Sequence, residues 1–257
     1  MIRTPAPTTP WVTPGRRSPQ EKLTLFCFPY AGGSASIYRN WAAKLPAFVN
    51  VCPVQLPGRG PRTKEPSYTN LEAMVADLAK NSLPLMEQPF AFFGHSMGAL
   101  ISFELARKLK REHGLAPVHL FLSGRRAPQV PDTEPLTYNL PDAEFIEELR
   151  HLKGTPAEVL EHPELMQLLL PLLRTDFEVC QTYQYVPGEL LDCPMSVFGG
   201  LEDDGVLREH LEPWKELTTG PFILRMLPGD HFFLHTSEAV LLHVLARQFA
   251  QLVDHLP

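Results

Sequence analysis

Apolar residues fall along this chain in two rhythms. Short, almost continuously apolar runs cover Leu23 to Phe28, Val49 to Gln55, Phe90 to Phe93, His119 to Ser123, Met195 to Gly199 and Phe222 to Leu227. Each is bounded by Gly, Pro or Ser, as strands covered on both faces should be. Longer stretches with helical spacing lie between them: Leu71 to Leu85, Ala99 to Glu112, and a last one from about Ser237 to Asp254. Thr236, Ser237 and Glu238 offer the last helix an N-cap and an acidic first turn. Strands alternating with helices predict an α/β fold, a mainly parallel sheet flanked by helices.

Two stretches depart from the alternation. Residues 1–20 carry five prolines and few large apolar side chains besides Trp11 and Val12. Such a segment buries too little surface to offset its ordering entropy, so a disordered lead-in is expected, with one domain over 21–257. Between Arg126 and Pro187 no strand is evident, only helical texture. Asp142 can cap a helix whose Phe145, Ile146, Leu149 and Leu152 share a face, and the apolar run Leu165 to Leu173 is interrupted by Pro171. An all-helical insert of about 126–187 inside an α/β core either elaborates the packing or forms a lid.

Composition narrows the classes. The chain has 257 residues, 44% of them hydrophobic, and a formal net charge of −6. It can bury a full core, and its mild acidity argues against a nucleic-acid partner. No apolar run approaches the roughly 18 residues that span a bilayer, and the N-terminus lacks the apolar stretch of a secretory signal. Cys27, Cys52, Cys180 and Cys193 are scattered without metal-site spacing. Reduced thiols in a cytoplasmic protein are therefore expected, with no metal.

Chemistry concentrates in a few places. Gly94-His95-Ser96-Met97-Gly98 lies between the run Phe90-Ala91-Phe92-Phe93 and a helical pattern. That is the strand–turn–helix setting of a nucleophile elbow, which lifts the Ser96 hydroxyl from the sheet and turns the Met97 N–H toward an incoming oxyanion. A serine needs a base held by a third group. Of ten histidines, His231 alone follows a strand and a tight turn, Pro228-Gly229, at a sheet's carboxyl end; His235 is its near rival. Glu202, Asp203 and Asp204 close the preceding strand and are the candidate acids. The other half of an oxyanion hole should come from the loop after the first strand, Phe28 to Ser36, where Gly32 and Gly33 let the backbone come close to a ligand.

Five motifs in order, F-P-Y-A-G-G-S-A-S-I-Y-R-N-W, Q-L-P-G-R-G-P-R, F-F-G-H-S-M-G-A-L-I-S-F-E-L-A, F-G-G-L-E-D-D-G-V and L-P-G-D-H-F-F-L, make the chain from about residue 22 resemble the type II thioesterases. These are stand-alone α/β-hydrolases that accompany nonribosomal peptide and polyketide synthases. The resemblance implies Ser96 as nucleophile, His231 as base, Asp203 as acid, and the Ala31 and Met97 amides as oxyanion donors. The family usually has Pro after that Asp, where this chain has Asp204, which keeps Asp204 open as a substitute. The resemblance further implies a monomer that needs no metal or organic cofactor, with acyl or peptidyl carrier domains as partners. Its reaction would be hydrolysis of acyl groups from their 4′-phosphopantetheine arms, as proofreading. The alternatives are a general acyl-CoA thioesterase or carboxylesterase and a silent binding module. Arg59, Arg62, Arg125 and Arg126 are candidate contacts for a phosphate or an acidic carrier surface, or are simply solvated.

Overall fold

The computed structural model describes residues 9–15, 18–152, 154 and 157–254. Six parallel strands, β1 (Leu23–Phe28), β2 (Val49–Pro53), β3 (Phe90–His95), β4 (His119–Ser123), β5 (Met195–Gly200) and β6 (Phe222–Leu227), form one sheet in the order β2-β1-β3-β4-β5-β6. Helices α1 (Trp41–Lys44), α2 (Leu71–Ser82) and α3 (Met97–His113) connect the first four strands. Helices α4 (Asp142–His151), α5 (Ala157–Leu160) and α6 (Pro163–Gln181) form the insert, and α7 (Arg208–Leu211), α8 (Phe233–Thr236) and α9 (Glu238–Val253) complete the order.

Two apolar layers sandwich the sheet. On one face α2 and α3 bury Leu71, Met74, Leu78, Leu100 and Phe103 against Phe26, Phe92 and Leu122. On the other, Trp41 of α1 and Leu241, Leu245 and Phe249 of α9 cover Leu25, Phe93 and Phe121. Side chains of successive strand residues alternate between these layers, which is why β1 and β3 to β5 are apolar on both faces. β6 departs from that expectation: it is the sheet edge, and its first five residues alternate between half-buried and exposed before the buried Leu227.

The other edge is covered by a segment expected to be disordered. Trp11 and Val12 are buried. Thr13 N–H donates to Pro53 O at 2.8 Å, and Gln55 N–H donates to Trp11 O at 2.8 Å. This short antiparallel addition occupies polar groups that an open edge beside β2 would expose. Trp11 also lies beneath the Arg62 guanidinium, 4.4 Å from ring centroid to Cζ. Proline content alone missed that two large apolar residues suffice to dock a segment. The rest of the lead-in expectation, at 1–8 and 16–17, lies outside the described residues.

The insert corrects two further expectations. Pro171 does not interrupt α6 but sits inside it, a 19-residue helix; it has no N–H to offer the carbonyl of Gln167, a local loss that packing outweighs. Asp142 does not cap α4. Pro141 holds the cap position, and the Asp142 carboxylate accepts from Arg174 at 2.6 Å instead. Ser237 precedes α9 without a side-chain cap, its hydroxyl donating to Pro228 O. Phe145, Leu149, Met166, Leu170 and Leu173 give the insert a small core of its own. Among the described residues no helix is long and apolar enough to cross a membrane.

Replacing Trp11 with Ala should cost about 3 kcal/mol of unfolding free energy through the cavity it leaves. Urea denaturation checks this; a loss under about 0.5 kcal/mol, the range of neutral surface changes, contradicts docking of the segment.

Candidate active site

The carboxyl ends of β1, β3, β5 and β6 converge on the predicted residues. At the end of β3 the chain turns directly into α3 through Ser96, whose φ is +53° and ψ −114°. Ser96 is the only non-glycine residue with positive φ among the described residues. Such a conformation costs on the order of 1–3 kcal/mol and persists only where its surroundings enforce it. Its neighbours show how. A β-carbon on Gly94 would meet the Gly98 carbonyl oxygen at 2.1 Å, and one on Gly98 would meet the Phe28 carbonyl oxygen at 2.1 Å. Glycine at both flanking positions of the G-x-S-x-G run thus lets strand, turn and helix pack this tightly. Ser96 N–H is anchored to Ser123 O of β4 at 2.8 Å.

β6 delivers His231. After Leu227 the chain turns at Gly229, φ +109°, and the imidazole Nδ1 lies 2.7 Å from Asp203 Oδ2. The loop after β5 supplies that carboxylate, which is buried, and its Oδ1 accepts the N–H groups of Gly205 at 3.1 Å and Val206 at 3.0 Å. These bonds compensate a buried charge and fix its orientation. Glu202 and Asp204 are exposed. Of the three candidate carboxylates Asp203 is the one in contact with His231, and the missing proline does not move that contact to Asp204.

Ser96 sits next in sequence to His95, whose ring lies 5.2 Å centroid to centroid from His231. Among the described residues Ser96 Oγ makes no hydrogen bond, a looseness common in unliganded sites. His95 does not compete with His231. It is fully buried, hydrogen-bonded to Ser123 Oγ at 2.9 Å, and burial, reinforced by the nearby His231, holds its pKa well below the usual histidine value. His235, the rival histidine, pairs through Nε2 with the Tyr30 hydroxyl at 2.9 Å.

The loop after β1 brings in the remaining predicted group. Gly33 N–H donates to Tyr30 O at 2.9 Å, and Gly32 has φ +75°, so residues 30–33 form a turn with glycine at its left-handed position. Neither the Ala31 N–H nor the Met97 N–H has a protein acceptor among the described residues, although Met97 is fully buried. Two unpaired backbone donors at the end of β1 and the start of α3 can stabilise an anion. No group of three or more His, Cys, Asp or Glu among the described residues is arranged to hold a metal ion.

The four arginines are already engaged. Arg59 is buried against Asp176 and Arg62 pairs with Glu65. Arg125 donates to Cys180 O, and Arg126 pairs with Asp132. Asp176 is the residue that sequence reasoning missed. Its signal was present: with Met166, Leu170, Leu173 and Val179 it shares the buried face of α6, where a carboxylate is out of place.

Gly98→Ala should destabilise the fold by about 3 kcal/mol, because backbone must move to admit the methyl group. Gly205→Ala, whose added carbon meets nothing closer than 3.6 Å, should cost under about 1 kcal/mol. Thermal unfolding of the two variants checks the contrast; equal losses contradict the packing account.

A family model of the thioesterase domain matches residues 23–248. The chain is 48% identical over 238 residues to the gramicidin S biosynthesis protein GrsT of Aneurinibacillus migulanus, covering 93% of each chain. It is 47% identical over 248 residues to the protein named linear gramicidin dehydrogenase LgrE of Brevibacillus parabrevis, covering 95% of this chain and 94% of that one. Despite that second name, the turn after β1 here reads Pro29-Tyr30-Ala31-Gly32-Gly33, not the G-x-G-x-x-G of a dinucleotide site. Among solved structures, the type II thioesterase BorB from the borrelidin biosynthetic cluster superposes with a TM-score of 0.84 at 36% identity, covering 92% of this chain and 96% of that one. Fold, elbow and family match agree: the chain belongs to the thioesterase family, serine-based hydrolases of acyl thioesters with the α/β-hydrolase architecture.

Proposed function

We propose that this enzyme removes stalled or misprimed acyl groups from the 4′-phosphopantetheine arms of carrier domains in a peptide or polyketide synthase. Relatives named for gramicidin S and borrelidin biosynthesis support the setting. The observation that carries the chemistry is the Asp203–His231 pair, 2.7 Å apart, whose imidazole lies 5.2 Å from the ring of His95, next to the positive-φ Ser96, together with two unpaired backbone N–H groups.

Ser96 Oγ attacks the thioester carbonyl while its proton passes to His231 Nε2. The carbonyl oxygen becomes an oxyanion held by the Ala31 and Met97 N–H groups. Collapse breaks the C–S bond, and His231 returns the proton to the leaving thiolate, giving free pantetheine thiol and an acyl ester on Ser96. Water then attacks that ester; His231 takes its proton and hands it to Ser96 Oγ as the carboxylic acid leaves. Asp203 keeps Nδ1 protonated and stabilises the imidazolium formed in each half. This sequence uses no metal or organic cofactor, and the enzyme acts in the cytoplasm as a monomer.

The insert serves as the lid over this site. Leu173 approaches the oxyanion turn, its Cδ2 lying 2.6 Å from where a β-carbon on Gly32 would stand. Leu165 and Leu168 lie on the exposed side of α6. Leu170 and Leu173 pack the insert's own core, so the apolar run is chiefly a packing element.

Intact-mass measurement of an acetyl-loaded carrier protein tests the reading. Wild type should remove the acetyl group and leave the arm attached, while Ser96→Ala removes nothing. If wild type instead cleaves acyl-CoA or a simple ester and spares the loaded carrier, the carrier assignment falls. On an aryl thioester, Asp203→Asn should lower kcat about 10⁴-fold by loss of the correct histidine tautomer. Asp204→Asn, with its side chain exposed, should stay within about twofold; the opposite ranking makes Asp204 the acid.

A further inference from the structure

The oxyanion turn is not held by its own loop. Its central peptide, between Ala31 and Gly32, presents the Gly32 N–H to Asp176 Oδ2 of α6 at 2.7 Å. Arg59, from the segment that follows β2, grips the same carboxylate with both terminal nitrogens, Nη1 to Oδ2 at 2.6 Å and Nη2 to Oδ1 at 2.7 Å. The Arg59 Nη1 also donates to Gly33 O at 3.2 Å, so one ion pair fastens two successive turn residues. Gln55 completes the clamp. Its Oε1 accepts the Ala35 N–H at 3.2 Å, and its Nε2 donates to Arg59 O at 3.0 Å.

Two features set this pair apart from an ordinary structural ion pair. Asp176 is wholly buried and Arg59 is 4% exposed, and a buried pair repays its desolvation poorly in stability compared with apolar residues of the same shape. Its contacts are also specific: the carboxylate addresses the one turn peptide that glycine leaves free to rotate, since Gly32 tolerates φ of either sign. If that peptide rotates, the neighbouring Ala31 N–H is no longer fixed where the Met97 N–H can share its anion.

We infer that Asp176, gripped by Arg59, is a positioning residue for the oxyanion turn, so that seating of helix α6 and competence of the oxyanion hole are one event. This rests on the reading of Ala31 as an oxyanion donor. A lid that lifts to admit an acyl arm withdraws Asp176 from Gly32, and the hole is restored only when the lid closes over the substrate.

The test compares two inhibitors on folded variants. An acyl trifluoromethyl ketone is attacked by Ser96, whose proton passes to His231, giving a hemiketal whose oxyanion needs the hole. The matching acyl-chain thioether fills the same space without reacting and does not need it. The first variant is Asp176→Asn. The second, Arg59→Met with Asp176→Leu, removes both ions and so leaves no buried charge unpaired if the first variant fails to fold. In the folded variant, ketone affinity and kcat should fall together by roughly 100-fold, the scale of losing one oxyanion donor, while thioether affinity and KM change less than about threefold. Ketone affinity equal to wild type, or equal losses for both inhibitors, overturns the inference and leaves Asp176 as a lid anchor only. Failure of wild type itself to bind the ketone removes the Ser96 reading and this inference together.

Discussion

One backbone residue constrains everything around it. Ser96 occupies a left-handed conformation that costs on the order of 1–3 kcal/mol, and the sheet supplies what holds it there: β3 on one side, α3 on the other, and the Ser123 carbonyl of β4 on its N–H. The tightness of that turn brings Gly98 onto the Phe28 carbonyl, so the start of α3 and the end of β1 touch. That contact places the Met97 N–H near the loop carrying the Ala31 N–H. The strain at Ser96 and the proximity of the Met97 N–H to the loop after β1 therefore have one physical origin, the absence of side chains at 94 and 98.

The rest of the site is arranged from outside this turn. β5 and β6 are neighbouring parallel strands, so the loops after them present Asp203 and His231 to each other without long connections. Asp203 is buried but takes two backbone N–H groups besides the imidazole, which fix its orientation. Arg59 and Asp176 do the corresponding work on the β1 side. A charge brought by the insert meets one brought by the core, and their shared target is a glycine peptide rather than another side chain. Both buried carboxylates of the site thus hold something else in place, one an imidazole and the other a backbone turn.

The sheet was legible because buried parallel strands leave continuous apolar runs; β1, β4 and β6 match their predicted bounds. The positions of Ser96 and His231 at their turns were legible for a different reason: local chain geometry demands Gly94 and Gly98 around one and a tight turn before the other. Spacing alone narrowed the acid only to a cluster of three, and the family resemblance was needed to single out Asp203, since burial, which separates it from Glu202 and Asp204, is a property of the fold. Trp11 and Val12 were misread because composition averages over a segment, whereas docking needs only two residues that fit an open edge. The role of Asp176 could not be read without its partner, 117 residues away in sequence. Pairings across that distance leave no local pattern, only a polar residue on a face where an apolar one belongs.

In the proposed reaction Ser96 carries the acyl group between the two halves. Rapid chemical quench of the enzyme with an acyl thioester, followed by digestion and mass analysis of the Ser96 peptide, tests it most directly. An acyl mass on Ser96 that rises before product acid and decays as substrate is exhausted is the predicted result. Turnover at the normal rate with Ser96 never acylated, or with the acyl group on another residue, contradicts the account.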